Sequence, residues 1–391
     1  MDVAPGGGAV WPHQISVFAS GLFNLANMAA IHLTECRGGR YAAVDSDPDG
    51  IGAISVSKQD VSMTAHSNTA ATEQQPAQPL DDAAHGQANV EHLGRHGRQL
   101  ETRCYGEPGN PLVVLLHGFP ECWATWRHQI APLVNAGYRV LVPNMIGYGH
   151  SDKPSKIADY RMDMICDDVR AVIRAAGYER CHLVGHDWGG AIAWWFGIHY
   201  SDELLSLSIL NAPHPRAFLS QLRSSPKQLL KSWYIFFFQL PWLPEWVIRM
   251  GNYRMLADAI KTTSNPGAYQ PQDWQQLNEH WRIPGALTAK LNYYRAMLRY
   301  RPKIAGKAMV SAPTQILWGE KDLALTLSMA ESSQQRTVNG RLITYPDATH
   351  WLAHDKPQEI NERLLEWIAQ HMEKHLHEHV EEHTAPKPED Q

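Results

Sequence analysis

Five consecutive residues, Gly185-His186-Asp187-Trp188-Gly189, limit the fold more than any other stretch of this chain. They follow a small-x-nucleophile-x-small pattern, in which a buried strand passes into a helix through a very tight turn. Only small residues fit two positions either side of the nucleophile. The flanks agree: Cys181-His182-Leu183-Val184 reads as strand, and Gly-Ala-Ile-Ala-Trp-Trp-Phe-Gly over 190–197 as a close-packed helix. The nucleophile position holds aspartate rather than serine. A carboxylate attacking carbon forms an alkyl ester, where serine would form an acyl ester, so serine-esterase chemistry is excluded at this position.

A turn of this kind needs a sheet around it. Residues 98–106 alternate loosely, as a half-exposed strand does, and order is expected from about His96. Short apolar runs at 112–116, 138–142, 181–184 and 205–210 read as strands, with a helix over 162–176 between them. Two later strands are expected at 314–318 and 341–345, and a final helix over 357–370. Strands alternating with helices predict an α/β fold with a mostly parallel central sheet and helices on both faces. About 100 residues separate the strand ending near Leu210 from the next near Thr314, where such a connection normally takes about 2–6. That stretch predicts an inserted helical cap over the carboxyl edge of the sheet, where open α/β sheets bind ligands.

The expected organisation is a disordered or poorly ordered leader over 1–92, a first core part over 93–213 and a cap over 214–308. A second core part follows over 309–372, then a His-rich charged tail over 373–391. The segment 63–86 is small, polar and aperiodic. Met63 is a plausible translation start. Residues 15–31 are uncharged and moderately apolar, but Asn24 and Asn27 interrupt them, which makes a weak candidate for an N-terminal anchor. No Lys or Arg precedes this stretch within the first ten residues, so a secretory signal is not expected. Five scattered cysteines (Cys36, Cys104, Cys122, Cys166, Cys181) form no CxxC pair, which favours a reducing, cytoplasmic location over a disulfide or zinc scaffold. A net charge of −5 gives no reason to expect a nucleic-acid partner or an anionic membrane. His371, His375, His379 and His383, with His377 beside them, share one helical face; an exposed charged tail is the plainer reading, and no metal or cofactor is assigned. Nothing in the sequence sets the oligomeric state.

A carboxylate nucleophile needs a base that activates water against its ester. For this type of elbow the chain order is nucleophile, acid, histidine, and Asp187, Asp322 and His350 satisfy it. Asp322 follows the strand at 314–318, and His350 follows the last strand. Glu320 and Asp347 compete with Asp322 as the residue that orients the imidazole. An oxyanion hole is expected from the backbone N–H of Trp188 and from the loop His117-Gly118-Phe119-Pro120, through the N–H of Phe119.

The region from about His96 to His371 resembles the α/β-hydrolase-fold epoxide hydrolases. The resemblance rests on His117-Gly118-Phe119-Pro120, Gly147-Tyr148-Gly149-His150-Ser151, the elbow with Gly190, Trp318-Gly319-Glu320-Lys321-Asp322, and Asp347-Ala348-Thr349-His350-Trp351. It implies hydrolysis of a small-molecule epoxide by water to a vicinal diol, without a cofactor. It also implies two cap tyrosines that bind and protonate the epoxide oxygen. These fall on Tyr234 and Tyr294, with Tyr293 as rival for the second, and His117, Pro120 and Trp351 are expected in the substrate pocket. Opening an epoxide expels an alkoxide more basic than a phenolate, so a neutral tyrosine can protonate it. A haloalkane or haloacid dehalogenase would use the same Asp and His but has no role for two phenols. A non-catalytic binding module would be expected to break a catalytic position, and none is broken. The aromatic run 233–246 reads as pocket lining, with a membrane-surface role as the alternative.

Overall fold

The computed structural model describes residues 88–301, 304, 306 and 308–384. Residues 1–87 of the expected leader, including 15–31, Cys36 and Met63, lie outside the described residues.

Eight strands form one sheet in the order β1-β2-β4-β3-β5-β6-β7-β8. They are β1 (Asn89–Arg95), β2 (Arg98–Tyr105), β3 (Leu112–Leu116), β4 (Arg139–Pro143), β5 (Cys181–His186), β6 (Leu204–Leu210), β7 (Thr314–Gly319) and β8 (Gly340–Tyr345). The first three in the sheet order pair antiparallel, and every later pairing is parallel. Continuous apolar runs mark strands covered on both sides, and β3, β5 and β7 are buried along their whole length. Helices Met162–Ala175 and Trp188–His199 pack on each other, the first against β1 and β2, the second against β3, β5 and β6. Helices Arg127–Asn135 and Pro357–Thr384 pack together and reach β4 and β6 respectively.

Two boundaries differ from expectation. The sheet begins at Asn89, ahead of His96 and within the segment read as leader. β1 is a polar edge strand with no fully buried residue, and it gains its order by hairpin pairing with β2, so it carries no apolar run to announce it. The last helix continues past Gln370 to Thr384 without a break. Its tail is helix-forming Glu, His and Lys, in which neither Gly nor Pro supplies a stop before Pro386.

Between β6 and β7 the chain makes helices Pro215–Ser224, Pro226–Lys231, Trp233–Phe237, Leu243–Met250, Arg254–Thr263, Pro271–Arg282 and Ala286–Arg299. Several begin with proline at the first or second position, where the missing N–H costs no intrahelical bond. A buried ion pair locks two of them: both guanidinium nitrogens Nη1 and Nη2 of Arg295 meet the Glu245 carboxylate, at 2.7 and 2.9 Å. Among the described residues no helix is long and apolar enough to cross a membrane.

Candidate active site

The elbow sits where β5 ends. Asp187 takes φ 52°, ψ −118°, a region that costs a non-glycine residue about 1–3 kcal/mol and is kept only where the surroundings enforce it. Here the surroundings are backbone and glycine. A Cβ on Gly189 would lie 2.1 Å from the Leu116 carbonyl oxygen, and one on Gly185 would lie 2.4 Å from the Gly189 carbonyl oxygen. A Cβ on Gly118 would come within 2.4 Å of the Asp187 Cβ, so the oxyanion loop can approach the nucleophile only as glycine.

That approach has a chemical result. The Phe119 N–H donates to Asp187 Oδ1 at 2.8 Å, leaving Oδ2 as the other carboxylate oxygen, 3.5 Å from His350 Nε2. On its far side, His350 Nδ1 lies 2.7 Å from Asp322 Oδ2. Asp322 is a fully subscribed acceptor. Oδ1 accepts the Ala324 and Leu325 N–H groups at 2.8 and 2.9 Å, and Oδ2 accepts from Asn211 Nδ2 at 2.9 Å as well as from the histidine. Burial opposes its charge, but the His350 imidazole and these donors hold the carboxyl below its usual value. Burial likewise opposes a charged imidazole at His350, yet Asp322 and Asp187 together raise it to about 10. Neither Glu320 nor Asp347 takes the orienting place: Asp347 instead pairs with Lys356 at 2.5 Å on the surface.

Asn211 had no signal of its own in the sequence. It ends β6 at φ 41°, and its side chain joins Gly319 N–H (2.9 Å to Oδ1) to Asp322. The only trace was a polar residue placed directly after an apolar strand. A second unforeseen group lies behind the imidazole. His186 Nε2 is 2.8 Å from the His350 carbonyl oxygen, and Glu121 accepts from the Tyr269 hydroxyl at 2.9 Å and pairs with His354 Nε2 at 2.8 Å. Burial works against the Glu121 charge, but His354 and its neighbours bring the carboxyl down to about 2.

The insertion covers this charged edge with rings. Tyr294 stands edge-on to Phe119 (centroids 5.2 Å), Trp188 (5.1 Å), Phe238 (5.1 Å) and Tyr234 (5.8 Å). Burial, followed by Tyr234 and the Asp187 carboxylate, raises the Tyr294 phenol well above 10; burial and Asp187 also raise Tyr234. Both are therefore neutral. The rival Tyr293 has committed its hydroxyl to the Ile146 carbonyl oxygen at 2.7 Å.

Two expectations need correction, those for His117 and for the run 233–246. His117 does not face a pocket: it is wholly buried, its Nδ1 meets the Gly118 carbonyl at 3.1 Å, and its Nε2 accepts from Met145 N–H at 3.1 Å. With both nitrogens engaged, it shapes the loop that carries Phe119. Trp351 packs edge-on against His350 (5.1 Å) with its indole N–H donated to Thr263, a brace for the imidazole. The run 233–246 is not uniformly lining, because Trp233, Phe236, Leu240, Trp242 and Trp246 are exposed while Ile235 and Phe238 are buried. Pro120 is buried next to Phe119, and its carbonyl accepts the Trp281 indole N–H at 2.7 Å. For Trp188, the structure places the indole against Tyr293 and Tyr294.

A parallel sheet, a strained acidic elbow and an Asp-His pair behind it define a hydrolase of the α/β class. Residues 111–357 match the family model for the alpha/beta hydrolase fold. The AB hydrolase superfamily protein YfhM of Bacillus subtilis is 40% identical over 276 residues, covering 71% of this chain and 96% of that protein. Epoxide hydrolase 3 of Xenopus tropicalis is 38% identical over 297 residues, covering 74% and 80%. Among solved structures, a Bacillus megaterium epoxide hydrolase in complex with an inhibitor superposes with a TM-score of 0.65 at 28% identity, covering 71% of this chain and 100% of that one. The chain belongs to the epoxide hydrolase family of the α/β-hydrolase fold.

Proposed function

We propose that Asp187 Oδ2 attacks an epoxide carbon while Tyr234 and Tyr294 take the ring oxygen, and that His350 then activates water against the resulting ester. The enzyme hydrolyses epoxides, as its family membership implies. In the first step a C–O bond forms between Asp187 and substrate, the ring C–O bond breaks, and a phenol proton passes to the alkoxide. Burial keeps both phenols protonated, and they remain far more acidic than an alkoxide. Forming the ester removes the negative charge of Asp187, one of the two carboxylates that hold the His350 proton. The imidazole thereby becomes able to give that proton to the phenolate left by the first step, which restores the tyrosine, and to serve as base. Water attacks the ester carbonyl carbon, its proton goes to His350, and Asp322 stabilises the imidazolium. The developing oxyanion is Oδ1, already held by Phe119 N–H, with the Trp188 N–H as second donor. Collapse breaks the bond between the Asp187 carboxyl carbon and Oδ2, the departing alkoxide takes the remaining hydroxyl proton, and a vicinal diol leaves while the carboxylate re-forms beside the imidazolium.

The observation that carries this reading is the division of labour between the two oxygens of Asp187, one bonded to Phe119 and the other open beside His350. The segment 214–308 acts in it as a cap that supplies the acid. The dehalogenase alternative is not favoured: a departing halide needs N–H donors rather than acids, and neutral Tyr234 and Tyr294 would have no task. We also place the enzyme in the cytoplasm, since Cys104, Cys122, Cys166 and Cys181 are buried free thiols. A single turnover of a styrene-type epoxide in ¹⁸O-water, followed by mass spectrometry of the Asp187 peptide, tests the mechanism. Label is expected in the Asp187 carboxylate and not in the first-turnover diol. Label in that diol with an unlabelled carboxylate means direct attack by water and rejects it.

A further inference from the structure

The outer face of the insertion carries an apolar surface that the hydrolytic chemistry does not use. Leu229, Leu230, Trp233, Phe236 and Leu240 follow one another at helical spacing and are each exposed, Leu230 by 64%. Trp242, Trp246 and Met250 repeat at four-residue intervals and are also exposed, Trp242 by 71%. These three, with Arg249, Glu245 and Thr288, line an open cleft of about 690 Å³. Solvent contact on this scale, rich in tryptophan, is costly for a protein surface and points to a partner.

Charge says which partner. The chain as a whole carries −5, yet from Leu204 to Ala257 it holds six basic residues, Arg216, Arg223, Lys227, Lys231, Arg249 and Arg254, against a single acid. That acid, Glu245, is buried and neutralised by Arg295. Arg223, Arg249 and Arg254 are exposed. Tryptophan and leucine framed by arginine, with the exposed carboxylate of Asp258 one turn beyond Arg254, is the composition of an interfacial surface that lies in the headgroup layer of an anionic bilayer. A protein partner of ordinary chemistry would not require the exposed charges of the stretch to be basic throughout.

We propose that this face docks on the surface of a membrane containing anionic phospholipid, Trp242 and Trp246 entering the headgroup region and the arginines meeting lipid phosphates. The docked surface is the reverse side of the wall over the catalytic carboxylate. In helix Trp233–Phe237 and the turn after it, Trp233 and Phe236 face out, while Tyr234 and Phe238 pack on Tyr294. Apolar epoxides concentrate in bilayers, so docking would hold the enzyme where its substrate partitions.

The test is flotation of the full-length chain with phosphatidylcholine vesicles, with and without about one third phosphatidylglycerol. Binding is expected to the anionic vesicles, to weaken with salt, and to fall about fivefold for each basic charge removed, as in Arg249→Gln. Trp242→Ser/Trp246→Ser is expected to lose at least tenfold in vesicle binding while retaining kcat on a water-soluble epoxide. No binding to anionic vesicles overturns the proposal, as does equal binding to neutral ones. Binding that survives all the cap substitutions also overturns it, because the attachment then lies elsewhere in the chain. Sedimentation of the wild type as a dimer that the tryptophan substitutions dissolve, without vesicle binding, would assign the face to a second copy instead.

Discussion

On the sheet side of the site, every functional atom is charged or aimed by backbone: Asp322 accepts four hydrogen bonds, His350 is held between two carboxylates, and Asp187 is forced into its strained turn by three glycines. On the insertion side, Tyr234 and Tyr294 are neutral and are placed by ring packing among Phe119, Trp188 and Phe238. The difference follows from electrostatics. A buried charge without fixed partners is costly, so ionised groups belong where strand ends and tight turns supply donors at set distances. A phenol O–H rotates to find its acceptor and carries no charge to desolvate, so helices packed by aromatic rings suffice to present it.

Four outcomes would sharpen or break that contrast. Asp187→Ala should lower kcat for diol formation by about 10⁴ or more; a variant retaining a few per cent of activity would remove the nucleophile from the sheet side. His350→Gln should slow turnover by about 10³–10⁴ while leaving the alkylation step, so the ester accumulates and intact mass rises by the mass of the substrate. If no adduct forms, His350 acts before the ester and the order of steps is wrong. Tyr234→Phe and Tyr294→Phe should each slow alkylation by about 10² and together by up to about 10⁴, followed by quenched-flow mass measurement. Single variants as inactive as Asp187→Ala would show that the insertion is as strictly built as the sheet.

The smallest effect is on stability. His350 lies above its ordinary value of 6.5, at about 10, so its stabilising contribution is complete below pH 6.5 and is lost as pH climbs through 10. Urea midpoints of the wild type should therefore decline between these limits more steeply than those of His350→Gln. Parallel curves would mean that the imidazole is not held as an ion in the free enzyme.

The same contrast explains what could be read from the chain. β3 announced itself as an uninterrupted apolar run, β5, β6 and β7 as short runs that are mostly apolar, and the elbow did so through glycine, because burial and steric exclusion are local demands written into adjacent residues. The strand β1 is held only by its partner across a hairpin, so its own residues stayed silent. Tyr234 and Tyr294 came from family resemblance, since nothing in periodicity separates a ring aimed at a nucleophile from one in a core. The orientation of the 233–246 run failed for a related reason: helix Trp233–Phe237 is too short for a clear apolar stripe and carries large apolar rings on both faces, and helix Leu243–Met250 turns Trp246 outward while burying Val247 and Ile248. Asn211 and Glu121 act through partners about a hundred residues or more away, His354 being 233 positions from Glu121, and no short pattern encodes such pairings.

The insertion leaves the sheet after β6 and returns in β7, and these two strands are neighbours with Leu210 opposite Leu317. Its two ends are thus anchored on adjacent hydrogen-bonded strands, the exit at Leu210 and the re-entry at Thr314, which stands opposite Leu207, whatever lies between them. A different set of helices could be grafted at those anchor points without moving Asp187, His350 or Asp322. Selectivity for one substrate over another is in that sense an exchangeable cassette, provided the replacement again presents two phenols, while the nucleophile, base and oxyanion donors stay with the scaffold.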